Sequence, residues 1–238
     1  MKLLFATAAT LLVTGAATAQ DVVRLGTEGA YPPYNYLDDS GEVAGFERAL
    51  GDELCARAEL TCEWVTNDWD SIIPNLTSGN YDAIMAGMSI TDARDEVIDF
   101  SDPYTPPATS SYVALSDDVD VEAGVIAAQT GTIQADHVSG TEATLLEFAT
   151  PEDAVAAMRS GEADAVMADT AFLEPYIASE PDLMVVGDEV ELDNGMGIGL
   201  RDGDEALQTQ FNDAIQSMQE DGTLNELIAE WLPETPQF

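Results

Sequence analysis

Residues 78–87 read "SGNYDAIMAG" and residues 160–169 read "SGEADAVMAD". The two phrases share one grammar. A Ser-Gly pair stops a helix, an Asp follows, a short apolar run reads as a buried strand, and the chain then switches to small or polar residues. Two occurrences are too few for a solenoid array. They are read as the same structural position in two similar half-domains.

The flanking segments extend this reading. "VVRLGTE" (22–28) is an apolar strand running into a turn. "GFERALGDELCARA" (45–58) places Phe46, Leu50 and Leu54 at helical spacing. "CEWVTND" (62–68) is a strand, "WDSIIPNLTSG" (69–79) a short helix stopped by Gly79, and "YDAIMAG" (81–87) a buried strand. In the second half, "GVIAAQTGT" (124–132) is a strand ending in a Gly-containing turn. "TPEDAVAAMRSGEA" (150–163) is a helix capped by Thr150, with Pro151 in its first turn. "ADAVMAD" (163–169) is the next strand. Strands alternating with helices predict an α/β fold with mostly parallel sheets covered by helices.

Two stretches are candidate crossings between the halves, "SDPYTPPATSSYVAL" (101–115) and "GMGIGLRDGD" (195–204). Beyond them lie two amphipathic helices in 205–232, broken at Asp221-Gly222. A chain that crosses twice returns its last helices to the first lobe. The expected division is residues 20–108 with 197–238 in lobe 1 and residues 109–196 in lobe 2. Two lobes on two connections hinge and enclose a cleft.

The N-terminus, "MKLLFATAATLLVTGAATAQ", has a basic start, an apolar middle and a small-x-small end. That is the anatomy of a secretory signal peptide over residues 1–19, with cleavage expected near Ala19. No later stretch reaches the roughly 20 apolar residues of a membrane span. The full chain carries 46 Asp and Glu against seven Lys and Arg, a formal net charge of −39. Lys2 is the only lysine, so the exported chain has six arginines. Such a field repels nucleic acid and anionic membranes. The acids are dispersed along the chain, which suggests a surface adapted to a salty medium that screens self-repulsion. Calcium is the rival explanation, but no Asp-rich loop closed by Glu is present. Cys55 and Cys62 in an exported chain read as a disulfide. With one distant His137 they supply too few soft ligands for a metal site. No metal and no cofactor are expected.

In open α/β sheets, ligands sit beyond the carboxyl ends of the strands. Those ends here are "TEGAY", "AGMS", "QTGT" and "MAD". Arg94 is the only cation near any of them, and an Arg fork holds a carboxylate through two parallel bonds. Ser89 adds a hydroxyl, and the "AGMS" turn (Ala86–Ser89) is expected to expose backbone N–H groups. "QTGT", with Gln129 and Thr132, offers a second turn from the other lobe. Asp169 is an anion suited to an ammonium. Tyr31 and Trp69 could sandwich a ligand stem. Each residue also has a plainer reading. Arg94 could pair with Asp92, Asp95 or Glu96 on its own helix, Asp169 could be an N-cap, and Trp69 could be core.

Nearly the whole exported chain resembles the periplasmic amino-acid-binding proteins of ABC importers, the histidine, lysine/arginine/ornithine and glutamine group. The phrases that carry the resemblance are "LGTEGAYPPYNY", "GEVAGFERALGDELC", "IIPNLTSGNYDAIMAGMSITDARDEVIDFSDPY", "QTGT", "ADAVMAD", "GIGLRDGD" and "DGTLNELIAEW". It implies a two-lobed periplasmic binding protein of type II with two hinge strands. The expected function is an extracytoplasmic receptor that captures a polar or basic L-amino acid and hands it to a membrane permease. A free amino acid and the permease would be its partners, with no nucleic acid, and a monomer is expected.

The resemblance places Arg94, Ser89 and the N–H groups of Thr132 and Ile133 on the ligand carboxylate. It places Asp169 on the ammonium, Tyr31 and Trp69 along the side chain, and Glu28 against the side-chain end. Ala86 and Gly87 stand where the histidine-binding branch has two serines, and Ile133 replaces a small or hydroxylated residue. The cysteine pair matches a disulfide of that branch. The alternative is an enzyme on the same scaffold, such as a cyclic amino-acid dehydratase, for which Glu28 with Asp169 is the one plausible acid–base couple. A ligand-sensing ectodomain would call for a membrane span after the domain.

Overall fold

The computed structural model describes residues 22–238, and the signal peptide expected at 1–19 lies outside the described residues. β1 (Val23–Thr27) leads into β2 (Ala30–Tyr31), β3 (Asn35–Leu37) and β4 (Val43–Ala44), which form a small antiparallel sheet of their own. α1 (Phe46–Arg57) starts at Gly45, where φ is 110°. A Cβ at this position would stand 2.6 Å from the Tyr34 carbonyl oxygen, so only glycine fits. β5 (Cys62–Thr66) returns beside β1, and the Cys55–Cys62 disulfide ties it to α1. The 69–79 segment is less regular than its sequence suggests: a 3-10 turn at Trp69–Ser71 precedes α2 (Ile72–Thr77). β6 (Ala83–Ile84), α3 (Asp92–Asp95) and β7 (Asp99–Phe100) complete this part.

The second series is β8 (Thr109–Ala114), β9 (Val125–Gln129), α4 (Ile133–Ser139), β10 (Thr144–Phe148), α5 (Pro151–Ser160), β11 (Ala165–Asp169), α6 (Thr170–Ser179) and β12 (Met184–Glu191). α5 is bounded by the residues its sequence names. Thr150 accepts the Asp153 N–H at 3.1 Å, and Gly161 closes the helix at φ 76°. The chain ends with β13 (Gly199–Leu200), α7 (Glu205–Asp221) and α8 (Thr223–Trp231), the two helices separated at Gly222.

There are two five-stranded sheets, ordered β5-β1-β6-β13-β7 and β10-β9-β11-β8-β12. In each, the first three strands are parallel, the fourth (β13 or β8) runs antiparallel to both its neighbours, and the fifth points the same way as the first three. The echoing phrases end in β6 and β11, the third strand of each parallel set. Beside each lies a strand that follows a crossing, β13 next to β6 and β8 next to β11. The crossings run side by side: the Ser101 N–H donates to the Ile198 carbonyl at 3.0 Å and the Tyr104 N–H to the Met196 carbonyl at 2.8 Å.

The largest core joins both sheets to their helices. Leu50 and Leu54 of α1 meet Phe211 and Ile215 of α7 and Leu224 and Ile228 of α8, while Val155, Met158 and Phe172 fill the other half. Each such buried side chain contributes about 1.5–3 kcal/mol. Arg57 clamps the same helix junction, bonding Ser217, Thr223 and Asp221. Smaller clusters cover the remaining faces, around Tyr81 and Ile98 on one sheet and Tyr112 and Met167 on the other.

Candidate ligand-binding cleft

The carboxyl ends of β1, β6, β9 and β11 converge on a cavity. It is lined by Glu28, Tyr31, Trp69, Ala86, Gly87, Ser89 and Arg94 from one side and by Gln129, Thr132, Ile133, Gln134 and Asp169 from the other. The eleven residues singled out from the sequence all lie on this wall, and Gln134 is an addition. Among the described residues, no group of His, Cys, Asp and Glu is arranged to hold a metal ion.

Arg94 sits in α3, a short helix capped by Thr91. Asp92, Asp95 and Glu96 flank it in sequence, yet it pairs with none of them. Arg24, Arg48, Arg57, Arg159 and Arg201 all form ion pairs, so among the described residues Arg94 is the one arginine without a carboxylate. Its guanidinium lies over the Trp69 ring at 5.4 Å and donates to the Ser89 carbonyl at 2.8 Å and, across the cleft, to the Gly131 carbonyl at 3.3 Å. Burial pulls its pKa below the usual arginine value. A half-buried cation held by carbonyls and an aromatic face retains its capacity for an anion.

Asp169 occupies the N-cap position of α6, but its side chain makes no cap hydrogen bond. It is buried and turned into the cavity. Tyr31 donates its hydroxyl to Asp169 Oδ2 at 2.7 Å, and Gln134 Nε2 donates to Oδ1 at 3.1 Å. Burial pushes its pKa up to about 6; Tyr31, Arg94 and Gln134 pull it down, and Asp193 adds to the rise. Tyr31 also stacks on Phe172 at 4.4 Å, so its ring is packed as well as lining the cavity.

Glu28 accepts a hydrogen bond from Gln129 Nε2 across the cleft at 2.6 Å. Burial raises its pKa to about 7, against the lowering effect of Gln129 and with a further push from Asp68. With both carboxylates ionised, the wall carries two negative charges and the one positive charge of Arg94. Thr132 caps α4 by accepting the Ala135 N–H at 3.2 Å. The earliest N–H groups of a helix have no acceptor within it, and here that end borders the cavity.

The "AGMS" turn does not offer the Gly87 N–H to the cleft, because Glu47 Oε1 accepts it at 2.7 Å from the opposite side. Glu47 and Gln134 were both missed in the sequence. The Thr132 cap followed by "IQADHV" is a helix-start signal that would have brought Gln134 forward. Nothing local marks Glu47.

A cavity between two sheets, closed by hydrogen bonds from both sides and lined by opposite charges at strand ends, defines a two-lobed ligand-binding protein. Residues 23–234 match the family described as bacterial extracellular solute-binding proteins, family 3, and the chain belongs to that family. It is 30% identical to the putative ABC transporter arginine-binding protein 2 of Escherichia coli (strain K12), over 90% of this chain and 92% of that one. A periplasmic His/Glu/Gln/Arg/opine family-binding protein from Silicibacter pomeroyi, solved in complex with lysine, is 62% identical with a TM-score of 0.89, covering 91% of this chain and 100% of that one. An ancestral amino acid-binding protein, a precursor of cyclohexadienyl dehydratase, is 30% identical with a TM-score of 0.78, covering 88% and 94%.

Proposed function

We propose that this chain is an extracytoplasmic receptor that captures a basic L-amino acid between its lobes and delivers it to the permease of an ABC importer. The observation that carries the reading is the unpaired Arg94 set in one cavity with Asp169 and Glu28. Arg94 takes the α-carboxylate, with Ser89 and the first N–H groups of α4 beside it. Asp169 takes the α-ammonium. Tyr31, Trp69, Ala86 and Gly87 flank the stem, and Glu28 with Gln129 meets the side-chain end. A ligand of net charge +1 neutralises a wall whose formal charge is −1. The lysine held by the Silicibacter pomeroyi relative supports a ligand of this class.

The described part of residues 20–108, with 197–238, forms one lobe and 109–196 the other, and ligand bridging both favours the closed form by binding it better. The receptor works as a monomer in the periplasm after its leader is cut near Ala19. Binding occurs without turnover, so incubation with candidate amino acids should return them unchanged. A thermal-shift screen of the common L-amino acids tests the reading, since a ligand that binds the folded state raises its melting temperature. Lysine or arginine should give the largest shift; no shift with any amino acid would overturn it.

A further inference from the structure

Glu47 is fully buried and, among the described residues, forms no ion pair. A buried carboxylate without a cation is costly, and an uncharged side chain of the same shape would avoid that cost. Burial pushes its pKa up, and hydrogen bonds from Tyr104, Gly87 and Asn35 restrain that rise. Oε1 accepts the Gly87 N–H at 2.7 Å and also the Tyr104 hydroxyl, and Oε2 accepts Asn35 Nδ2 at 2.7 Å. The carboxylate therefore meets three donors. Asn35 cannot be turned over, because its Oδ1 accepts the Gly29 N–H at 2.8 Å and a backbone N–H can only donate.

These donors belong to parts of the chain that bear on the cleft. Gly87 lines it. Gly29 follows Glu28. Tyr104 lies in the first crossing, and its N–H holds Met196 of the second. Glu47 itself does not reach the cavity.

We propose that Glu47 is a positioning residue for ligand binding: its carboxylate holds the Gly87 turn, the Glu28–Gly29 corner and the paired crossings in one register. This rests on the amino-acid-binding reading above. In Glu47→Gln the amide oxygen can serve Gly87 and Tyr104, but its NH2 then faces the NH2 of Asn35. If Asn35 flips, the conflict moves to the Gly29 N–H, next to Glu28. The double change Asn35→Asp with Glu47→Gln removes the conflict. The carboxylate introduced at position 35 accepts from Gly29 and from the amide NH2 introduced at position 47, while the oxygen of that amide accepts from Gly87 and Tyr104.

The test is calorimetric titration of L-lysine and L-arginine at 25 °C into the wild type, E47Q and the N35D/E47Q double variant, with melting temperatures of the ligand-free proteins. We expect E47Q to bind more than fivefold weaker and the double variant to return to within threefold of wild type. A residue that only stabilises the fold would lower the melting temperature and leave affinity at 25 °C unchanged. The inference is overturned if E47Q loses less than fivefold, or if the double variant binds no tighter than E47Q. Should E47Q alone not fold, the double variant decides, and its failure to fold or to bind overturns the inference equally. A wild type that binds neither amino acid refutes the receptor reading itself, an outcome distinct from an unaffected E47Q.

Discussion

Lowering the pH from 8 to 5 should weaken capture of a basic amino acid about a thousandfold. Two carboxylates set this number. Glu28 has a pKa of about 7, raised by burial and by Asp68 and restrained by the Gln129 hydrogen bond. Asp169 has a pKa of about 6, raised by burial and by Asp193 and restrained by Tyr31, Arg94 and Gln134. A cationic ligand needs both ionised, and each pH unit below a pKa costs about tenfold, or 1.36 kcal/mol. At pH 5 Glu28 lies about two units below its value and Asp169 about one, which together come to about 4 kcal/mol. At pH 6.5 the free protein holds about one proton on the pair, so binding should release about one proton per ligand. Calorimetry from pH 5 to 8, in buffers of different ionisation enthalpy, reads both quantities. An affinity constant within threefold across that range, with an enthalpy independent of buffer, would refute the reasoning. The ligand-free protein responds in the opposite sense. Both folded-state pKa values are raised, so these groups stabilise the fold fully below the unfolded carboxylate range, and that contribution disappears as pH rises through about 6 and about 7. The melting shift produced by ligand should therefore grow from pH 5 to pH 8.

Other expectations follow from single features. Arg94→Ala should cost several kcal/mol of ligand binding by leaving a carboxylate unpaired, with little change in ligand-free melting because only bonds to two carbonyls and the Trp69 contact are lost; a loss under threefold by calorimetry contradicts the assignment. Free-thiol titration of unfolded, unreduced protein should find none of Cys55 or Cys62, and replacing both by serine should destabilise the fold by about 2–3 kcal/mol, the loop-closure value for so short a ring. With a formal charge of −39, the ligand-free melting temperature should rise in both sodium and potassium chloride as the Debye length falls from about 10 Å at 0.1 M to about 3 Å at 1 M; a flat or falling value shows that the acidic surface is not salt-adapted.

The parts of this molecule written in local residue order were legible in its sequence. "SGNYDAIMAG" and "SGEADAVMAD" end in corresponding strands because a helix stop, an Asp and a short apolar run suffice to specify that step. Arg94 stood out because cations are scarce in this chain. What stayed hidden lacked a period to read. β2, β3 and β4 are two or three residues each, too short for alternation to register. α6 is apolar nearly all round and contains Pro175, which argues against a helix. β12 carries Asp188, Glu189 and Glu191 along an exposed sheet edge, so it resembles a loop. That the Gly87 N–H turns away from the cleft is not legible locally, because its acceptor lies 40 residues away in sequence. Glu47 shares a helix with Leu50 and Leu54, and its role depends on partners that only the fold brings to it.

The central claim is that this cleft recognises both ends of a basic amino acid. Titration of L-lysine, L-arginine and L-norleucine at pH 8 measures it directly, because norleucine keeps the α-carboxylate, the α-ammonium and an apolar stem but has no charge for Glu28. The account predicts one site per chain, with lysine or arginine binding at least about a hundredfold tighter than norleucine, the discrimination expected when a buried carboxylate is left unpaired. Norleucine binding within threefold of the better basic ligand would contradict it.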